Sequence, residues 1–262
     1  KRKFVLFSVI LFFITIFLFV LPPQYFIQPI YSSYLYPIIR AFLNYTFGAL
    51  PFSSVFIVLP VIIFIGLFII IRQIILKNIY LFIAYFISYI LSLLTIFFWI
   101  WGFNYNAHIL VPQPHLEQFP LKQSTVLKTF SHAAFYRSQL HSDIILPKWD
   151  KKTLQLVEDS GRIWLTQAIE LLGQQPNKSS NRIKNWPDGF ILRWGIVGMY
   201  FPFSGESTID GGLHALRYPS TALHEWAHSM GYTNEGDCNL IAYLAAQRSS
   251  NAFIRYSAEI ER

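Results

Sequence analysis

The chain has 262 residues, of which 53% are hydrophobic and only 13% charged, which is too apolar for an ordinary soluble domain. Its first 101 residues contain six basic residues and no acidic one, whereas the rest carries 15 basic and 14 acidic residues. Six of the seven net positive charges therefore lie in the apolar part, and they do not indicate a nucleic-acid partner, which needs Lys and Arg clustered on a folded face. Cys238 is the single cysteine, so no intrachain disulfide can form.

Three stretches of the N-terminal part are long enough to cross a bilayer, which takes about 20 apolar helical residues. They are Phe4–Leu21, Pro51–Ile71 and Ile79–Trp101. We interpret the first as an uncleaved anchor, because no small residues form a cleavage-site pattern after it. The positive-inside rule places Lys1–Lys3 and the loop with Arg72 and Lys77 in the cytoplasm. Everything after about residue 102 is then expected outside the cytoplasm.

The loop 22–50 joins the first two spans and has amphipathic spacing, which predicts a segment that lies along the membrane surface. Arg40 lies in this outer loop and weighs mildly against the assigned orientation.

The rest of the chain is predicted to be a linker over 102–122, where three prolines fall, followed by one domain over 123–262. Hydrophobic spacing and turn residues predict its elements in chain order. These are helices over 123–141 and 151–174, a polar loop over 174–184, a strand over 190–199, a turn over 200–205, a strand over 206–210 and a helix over 251–262. Because the sequence stops within that last helix, we expect the natural protein to continue.

The segment Pro219–Gly231 predicts a helix, since proline suits a first turn and glycine suits a helix end. One face is a core-facing stripe at helical spacing, formed by Leu223, Trp226, Ala227 and Met230. His224 and His228 lie four residues apart on another face, where two imidazoles can bind one zinc ion. Glu225 follows the first histidine, from where it can act as general base towards a water on the metal.

Catalytic zinc takes three protein ligands and a water, so a third ligand is needed. Glu235 is the best candidate, because it follows Gly231 after a short turn and Asn234 can cap the next helix. Asp237 is the rival third ligand and Asn234 a weaker one. Asn239 falls one turn after Glu235, so we expect it to hydrogen-bond a ligand.

Other reactive side chains lack such spacing. Cys238 is predicted to be a small buried helix residue, and His214 a plain loop histidine. One of three tyrosines could donate to a tetrahedral intermediate: Tyr200, Tyr218 or Tyr232. Four histidines are scattered without ligand spacing: His108, His115, His132 and His141.

These motifs resemble the zincin metallopeptidases, which implies an α+β fold with a strand beside the active-site helix that pairs with extended substrate. Glu206–Asp210 resembles that strand. Glu235–Asn239 resembles the Glu-x-x-Ala-Asp element of gluzincins, with Cys for Ala, Asn for Asp and a shorter gap from His228. Gly231 also fits the metzincin pattern, although Asn234 stands in place of its final histidine.

A closer resemblance is to a bacterial membrane family known only as a domain of unknown function, in which three spans precede a zincin-like domain. Its landmarks cover nearly the whole chain: Trp101–Tyr105, Gly198–Glu206, His224–Gly231 and Glu235–Leu244. The resemblance implies the bacterial cytoplasmic membrane and a peptidase-like site, and it names no substrate. The family typically has a second acidic pair after the glutamate, where this chain has Gly236 and Asp237.

The sequence thus predicts a three-helix membrane anchor followed by an α+β zincin-like zinc metalloendopeptidase outside the cytoplasmic membrane. Zinc is expected at His224, His228 and Glu235, while Glu225 activates water and protonates the leaving amine. The expected partners are a peptide or protein substrate and the lipid bilayer. The alternative is a non-catalytic membrane sensor or scaffold stabilised by zinc. Hydrolysis inside the bilayer is disfavoured, because His224 lies well beyond the last apolar span.

Overall fold

The computed structural model describes residues 2–75, 78–107, 151–177 and 182–261, with five isolated positions between 131 and 139. The chain divides into two compact units. The membrane unit comprises Lys1–Ala107 and Phe201–Gly205, and the C-terminal unit comprises His108–Tyr200 and Glu206–Arg262. The predicted linker residues 108–122 lie outside the described residues, as does most of the helix predicted over 123–141.

The membrane unit contains four α-helices: α1 (Arg2–Val20), α2 (Tyr36–Phe47), α3 (Val55–Ile75) and α4 (Ile79–Ile100). Three of these, α1, α3 and α4, are long and apolar enough to cross a membrane, with mean hydropathy between 2.3 and 3.0. The three predicted spans are confirmed, with ends that differ by at most four residues, and the chain is a membrane protein.

An aromatic cluster closes the end of α4. Phe103, on a short 3₁₀ helix over Gly102–Asn106, is fully buried, and its ring lies 5.0 Å from Tyr31 and 5.4 Å from Trp99. The Trp99 indole N–H donates to the Thr15 hydroxyl on α1 at 3.0 Å. Aromatic packing and this polar contact therefore join α1 and α4, as buried polar groups require partners in an apolar unit.

The predicted surface segment over 22–50 is helical, with a π-helix over Ile27–Leu35 followed by α2. Arg40 on α2 is fully buried, and its Nη1 donates to the Gly205 carbonyl oxygen at 2.8 Å. Its Nη2 donates to Asn44 Oδ1 at 3.1 Å. Gly205 has a φ of +68°, and a Cβ there would overlap the guanidinium, so both conformation and space require glycine. Arg40 therefore packs inside the membrane unit and is not an exposed loop charge.

The C-terminal unit is helical with a small mixed sheet. Its elements are α5 (Lys151–Leu171), β1 (Lys184–Trp186), β2 (Gly198–Phe201), β3 (Glu206–Asp210), α6 (Tyr218–Ser229), α7 (Glu235–Ala246) and α8 (Ala252–Glu261). The strand order is β1-β3-β2, and β1 runs parallel to β3 with Lys184 opposite Thr208. The helices predicted over 151–174, 219–231 and 251–262 and the strand over 206–210 are confirmed within three residues.

The strand predicted over 190–199 is wrong for most of its length. Residues Leu192–Trp194 form a 3₁₀ helix that ends at Gly195, and β2 begins only at Gly198. The physical cause is the Asp210 carboxylate, which accepts backbone N–H bonds from Gly189, Ile191 and Leu192 and curls the segment. The turn predicted over 200–205 is shorter, because β2 continues to Phe201.

Helix α6 is the centre of the hydrophobic core. The predicted stripe on this helix is buried at all four positions, Leu223, Trp226, Ala227 and Met230. Helix α5 approaches it at Gly161, where a Cβ would lie 2.8 Å from the Trp226 ring and 3.2 Å from Leu223. This close packing fixes the rotation of α6, so its opposite face, with His224 and His228, has a defined direction.

Candidate metal centre

Two consecutive helices bring the candidate residues together. Helix α6 carries His224, Glu225 and His228, and the chain reverses just after it at Gly231, whose φ of +107° favours glycine. Asn234 then caps α7 by accepting the Asp237 N–H at 3.1 Å, as the sequence predicts. Glu235 is thus the first residue of α7 and faces the histidines across the turn.

The three predicted ligand side chains form a triangle, in which the carboxylate of Glu235 faces each imidazole with a different oxygen. His224 Nε2 lies 3.1 Å from His228 Nε2 and 3.1 Å from Glu235 Oε2, while His228 Nε2 lies 3.4 Å from Glu235 Oε1. Two ligand atoms at about 2.05 Å from a tetrahedral zinc lie about 3.3 Å apart. The observed separations are close to this value, so the three side chains lie near enough to one another to hold one zinc ion.

Hydrogen bonds behind the rings orient the free nitrogens. The Nδ1 of His224 lies 2.8 Å from Asn239 Oδ1, and the Nδ1 of His228 lies 2.8 Å from the Tyr232 carbonyl oxygen. Because both oxygens accept, each ring donates from Nδ1 and presents a lone pair at Nε2. Two lone pairs and a carboxylate then converge on one point, which fits a cation.

Electrostatics favours the neutral, metal-binding form of His224. Burial lowers its pKa first and the neighbouring His228 lowers it further, whereas Glu235 and Asn239 act in the opposite direction. The Glu235 side chain is 74% exposed, against 17% and 12% for the two histidine side chains. The triangle therefore opens to solvent on the Glu235 side.

Glu225, the residue after His224 on α6, packs against β2. Glu225 is only 5% exposed, and the Tyr200 backbone N–H donates to its carboxylate. A Cβ on Gly198 would lie only 2.7 Å from Glu225 Oε1, so glycine makes room for the carboxylate. Burial, and to a smaller extent the charge of Glu235, raises the pKa of Glu225 to about 8. The hydrogen bond from the Tyr200 N–H acts in the opposite direction and lowers this pKa. Within the described residues, its Oε2 has no hydrogen-bond partner.

The rival ligands are placed differently. Asn234 uses its side chain as the cap of α7, and Asp237 is not part of the His224, His228 and Glu235 group. In the described part of the chain, His224, His228 and Glu235 are the group of three His, Cys, Asp or Glu side chains whose possible ligand atoms all lie within 4.8 Å of one another.

The residues that the sequence sets aside have structural surroundings. Cys238 is fully buried, with Sγ 3.3 Å from His228 Nδ1, and burial raises the pKa of its thiol. His214 is exposed, and its Nδ1 accepts the Leu216 N–H at 3.2 Å. Burial also raises the pKa of Tyr218 and Tyr232, which keeps both phenols protonated. His108, His115, His132 and His141 lie outside the described residues.

The strand expected to pair with substrate is not at an edge. β3 (Glu206–Asp210) lies between β1 and β2, so both its hydrogen-bonding sides are occupied. Among the described residues β2 lies at an edge of the sheet, and it is also the strand that contacts Glu225 through Gly198 and Tyr200. Sequence reasoning missed this role of β2, although the run Gly198–Glu206 stood out as a landmark.

The chain has three helices that can span a membrane, and a helical unit with a small mixed sheet and a histidine-glutamate cluster follows them. These features define it as a membrane protein with a folded C-terminal unit. More particularly, the chain belongs to the family described as Protein of unknown function (DUF3810), whose model matches residues 31–262. The expected membership of a membrane family of unknown function is confirmed. No curated protein and no solved structure matches the chain.

Proposed function

We propose that this protein is a membrane-anchored zinc metallopeptidase that hydrolyses peptide bonds on the extracytoplasmic side. The observation that carries the proposal is the triangle of His224, His228 and Glu235, whose nearest nitrogen and oxygen atoms lie 3.1 to 3.4 Å apart, beside a buried Glu225. Both imidazoles are oriented by acceptors behind them, as in metal sites where a second hydrogen bond fixes the ligand tautomer.

In this proposal His224, His228 and Glu235 hold the metal, and Asn239 and the Tyr232 carbonyl keep the rings in place. Zinc, when bound in such a site, lowers the pKa of its water to about 7 and polarises a substrate carbonyl. Glu225 takes a proton from the attacking water at Oε2 and passes it to the leaving amine.

The position of β2 supports a peptide as the substrate. β2 lies at an edge of the sheet among the described residues, where backbone groups other than the Tyr200 N–H, which donates to the Glu225 carboxylate, can pair with an extended chain. A peptide that pairs with β2 is thereby brought to the catalytic base. This arrangement, together with the His-Glu-x-x-His helix, favours the zincin-like assignment of the C-terminal unit.

The extracytoplasmic location rests on charge. The first residues, the last turn of α3 with Arg72 and the following Lys77 carry the basic residues of the N-terminal part, apart from Arg40, which is buried. The positive-inside rule then places α4 with its C-terminal end outside. Reporter fusions after residue 107 test this directly, since alkaline phosphatase is active only outside the cytoplasm.

The first experiment is metal analysis of the purified full-length chain and of two matched variants. We expect one zinc per chain in the wild type and in Asp237→Asn, and a large loss of zinc in Glu235→Gln. Both substitutions neutralise a carboxylate in the first turn of α7, so a general effect on that helix changes them alike. Equal zinc contents in the two variants would remove Glu235 from the ligand set.

The second experiment concerns catalysis and uses Glu225→Gln. We expect this variant to keep zinc and lose hydrolysis, because the amide cannot accept a proton. Comparison of the proteomes of wild-type and Glu225→Gln strains identifies substrates as proteins that accumulate uncleaved. Full peptidase activity in Glu225→Gln would overturn the mechanism. If zinc is bound and Glu225→Ala leaves the cellular phenotype intact, the sensor or scaffold hypothesis replaces it.

A further inference from the structure

The segment 190–196, which we call the aromatic loop, exposes large apolar side chains beside a cation. Trp194 is 76% exposed, Phe190 45% and Ile196 40%, and Arg193 between them is exposed as well. Single exposed apolar residues are ordinary, but three within seven residues form a patch that indicates an interaction surface.

The aromatic loop is rigidly presented. The buried carboxylate of Asp210 accepts N–H bonds from Gly189, Ile191 and Leu192, at 2.6, 2.8 and 3.1 Å. Phe190 stacks on Trp186 with ring centroids 5.5 Å apart. Since the backbone is fixed in this way, Trp194 can enter an apolar environment without the entropy cost of ordering a flexible loop.

The chain itself keeps the aromatic loop near the bilayer. Phe201–Gly205 belongs to the membrane unit, where the Phe203 ring lies 6.4 Å from Phe97, near the C-terminal end of α4. Trp194 precedes Phe201 by seven residues, which can span at most about 25 Å even when fully extended. Phe203, whose ring contacts Phe97 on α4, follows Trp194 by nine residues and therefore lies within about 32 Å of it along the backbone.

We propose that the aromatic loop inserts into the headgroup region of the bilayer that holds the three spans. Tryptophan prefers this region, since its ring is apolar and its N–H needs a polar partner. The Arg193 guanidinium lies over the Phe190 ring at 5.7 Å, from where it can bind lipid phosphate. The contact gives the C-terminal unit a second attachment to the membrane, and it does not depend on the proposed peptidase activity.

The test places a dye at position 194 in the full-length chain. Cys238 is fully buried, so a cysteine introduced on the surface can be labelled selectively, with the wild-type chain as the blank. Trp194→Cys and Ile196→Cys carry the environment-sensitive dye NBD in the aromatic loop. Ile163→Cys is the matched control, because it is also apolar and 57% exposed but lies on α5. The chains are reconstituted in phosphatidylethanolamine and phosphatidylglycerol vesicles, with or without doxyl-labelled lipid.

We expect blue-shifted emission at 194 and 196 and quenching by doxyl lipid at least about twofold stronger than at 163, as for side chains at the headgroup boundary. Equal, weak quenching at all three positions would overturn the proposal. A blue shift at 194 that is already complete in detergent, without added quenching in vesicles, would also overturn it. That result would show that protein, not lipid, covers the loop.

Discussion

Gly198→Ala tests whether the position of the Glu225 carboxylate against β2 matters for catalysis. The new Cβ would lie 2.7 Å from Glu225 Oε1, whereas ordinary contact begins at 3.4 Å, so the carboxylate must move by about 0.7 Å. The Thr208 carbonyl oxygen, 3.0 Å from the same Cβ, prevents the strand from yielding instead. A displacement approaching 1 Å of a catalytic group costs about 10²-fold in rate. We therefore expect kcat/KM to fall about 100-fold, or about 2.7 kcal/mol of transition-state stabilisation.

The assay is hydrolysis of a substrate identified with the Glu225→Gln strain, together with zinc content. Gly198→Ala should keep its zinc, because the three ligand side chains are elsewhere on α6 and α7. In a Glu225→Gln background the same substitution should cause little further loss, since both changes act through one carboxylate. Activity of Gly198→Ala within about twofold of wild type would refute the role of Glu225 as the base, given that such a displacement is costly.

Three further predictions follow from the same contacts. Asn239→Ala should weaken zinc binding about 10- to 100-fold in a chelator competition, because His224 loses the acceptor at its Nδ1; unchanged affinity would contradict this role. Asp210→Asn should lower stability by about 1.5–3 kcal/mol at pH 7, through weaker bonds to the surrounding N–H groups. Burial acts to raise the pKa of Asp210, but backbone N–H donation outweighs it, so the pKa is lower in the folded than in the unfolded state. The stability that the Asp210 carboxylate contributes is therefore fully present above its unfolded-state pKa of about 3.9 and is lost as the pH falls through its lower folded-state pKa. Thermal unfolding at pH 7 and pH 3 should therefore show a difference between wild type and Asp210→Asn that shrinks in acid. Lys184→Met should lower the free energy of unfolding by about 3–5 kcal/mol, because it leaves the Glu206 carboxylate buried without the ammonium that lies 2.5 Å away. The double variant Lys184→Met with Glu206→Gln should recover part of this loss of stability in the same unfolding assay.

Several elements were accessible from the sequence because their signals are local. The three spans follow from runs of apolar residues, and helix α6 follows from proline, glycine and the spacing of its buried stripe. The cap at Asn234 also follows from neighbouring residues, since its side chain reaches only the first turn of α7.

The misplaced strand over 190–199 has a non-local cause. Its residues have strand propensity, but the backbone bonds to Asp210, which lies on a later strand, override it. For the same reason β1 was missed: its three residues end a polar loop and are a strand only because β3 lies alongside. The edge position of β2 likewise depends on the order of strands in the sheet.

The sequence by itself determined the membrane anchor, the family and the four residues that we place at the centre, His224, Glu225, His228 and Glu235. Each depends on apolar length or on spacing along one or two adjacent helices, which a linear pattern records. Only the tertiary structure decided that Glu235, rather than Asn234 or Asp237, joins the two imidazoles in one triangle. It also decided that Glu225 rests against Gly198 on an edge strand, because that contact joins segments 27 residues apart through the packing of α6 against the sheet.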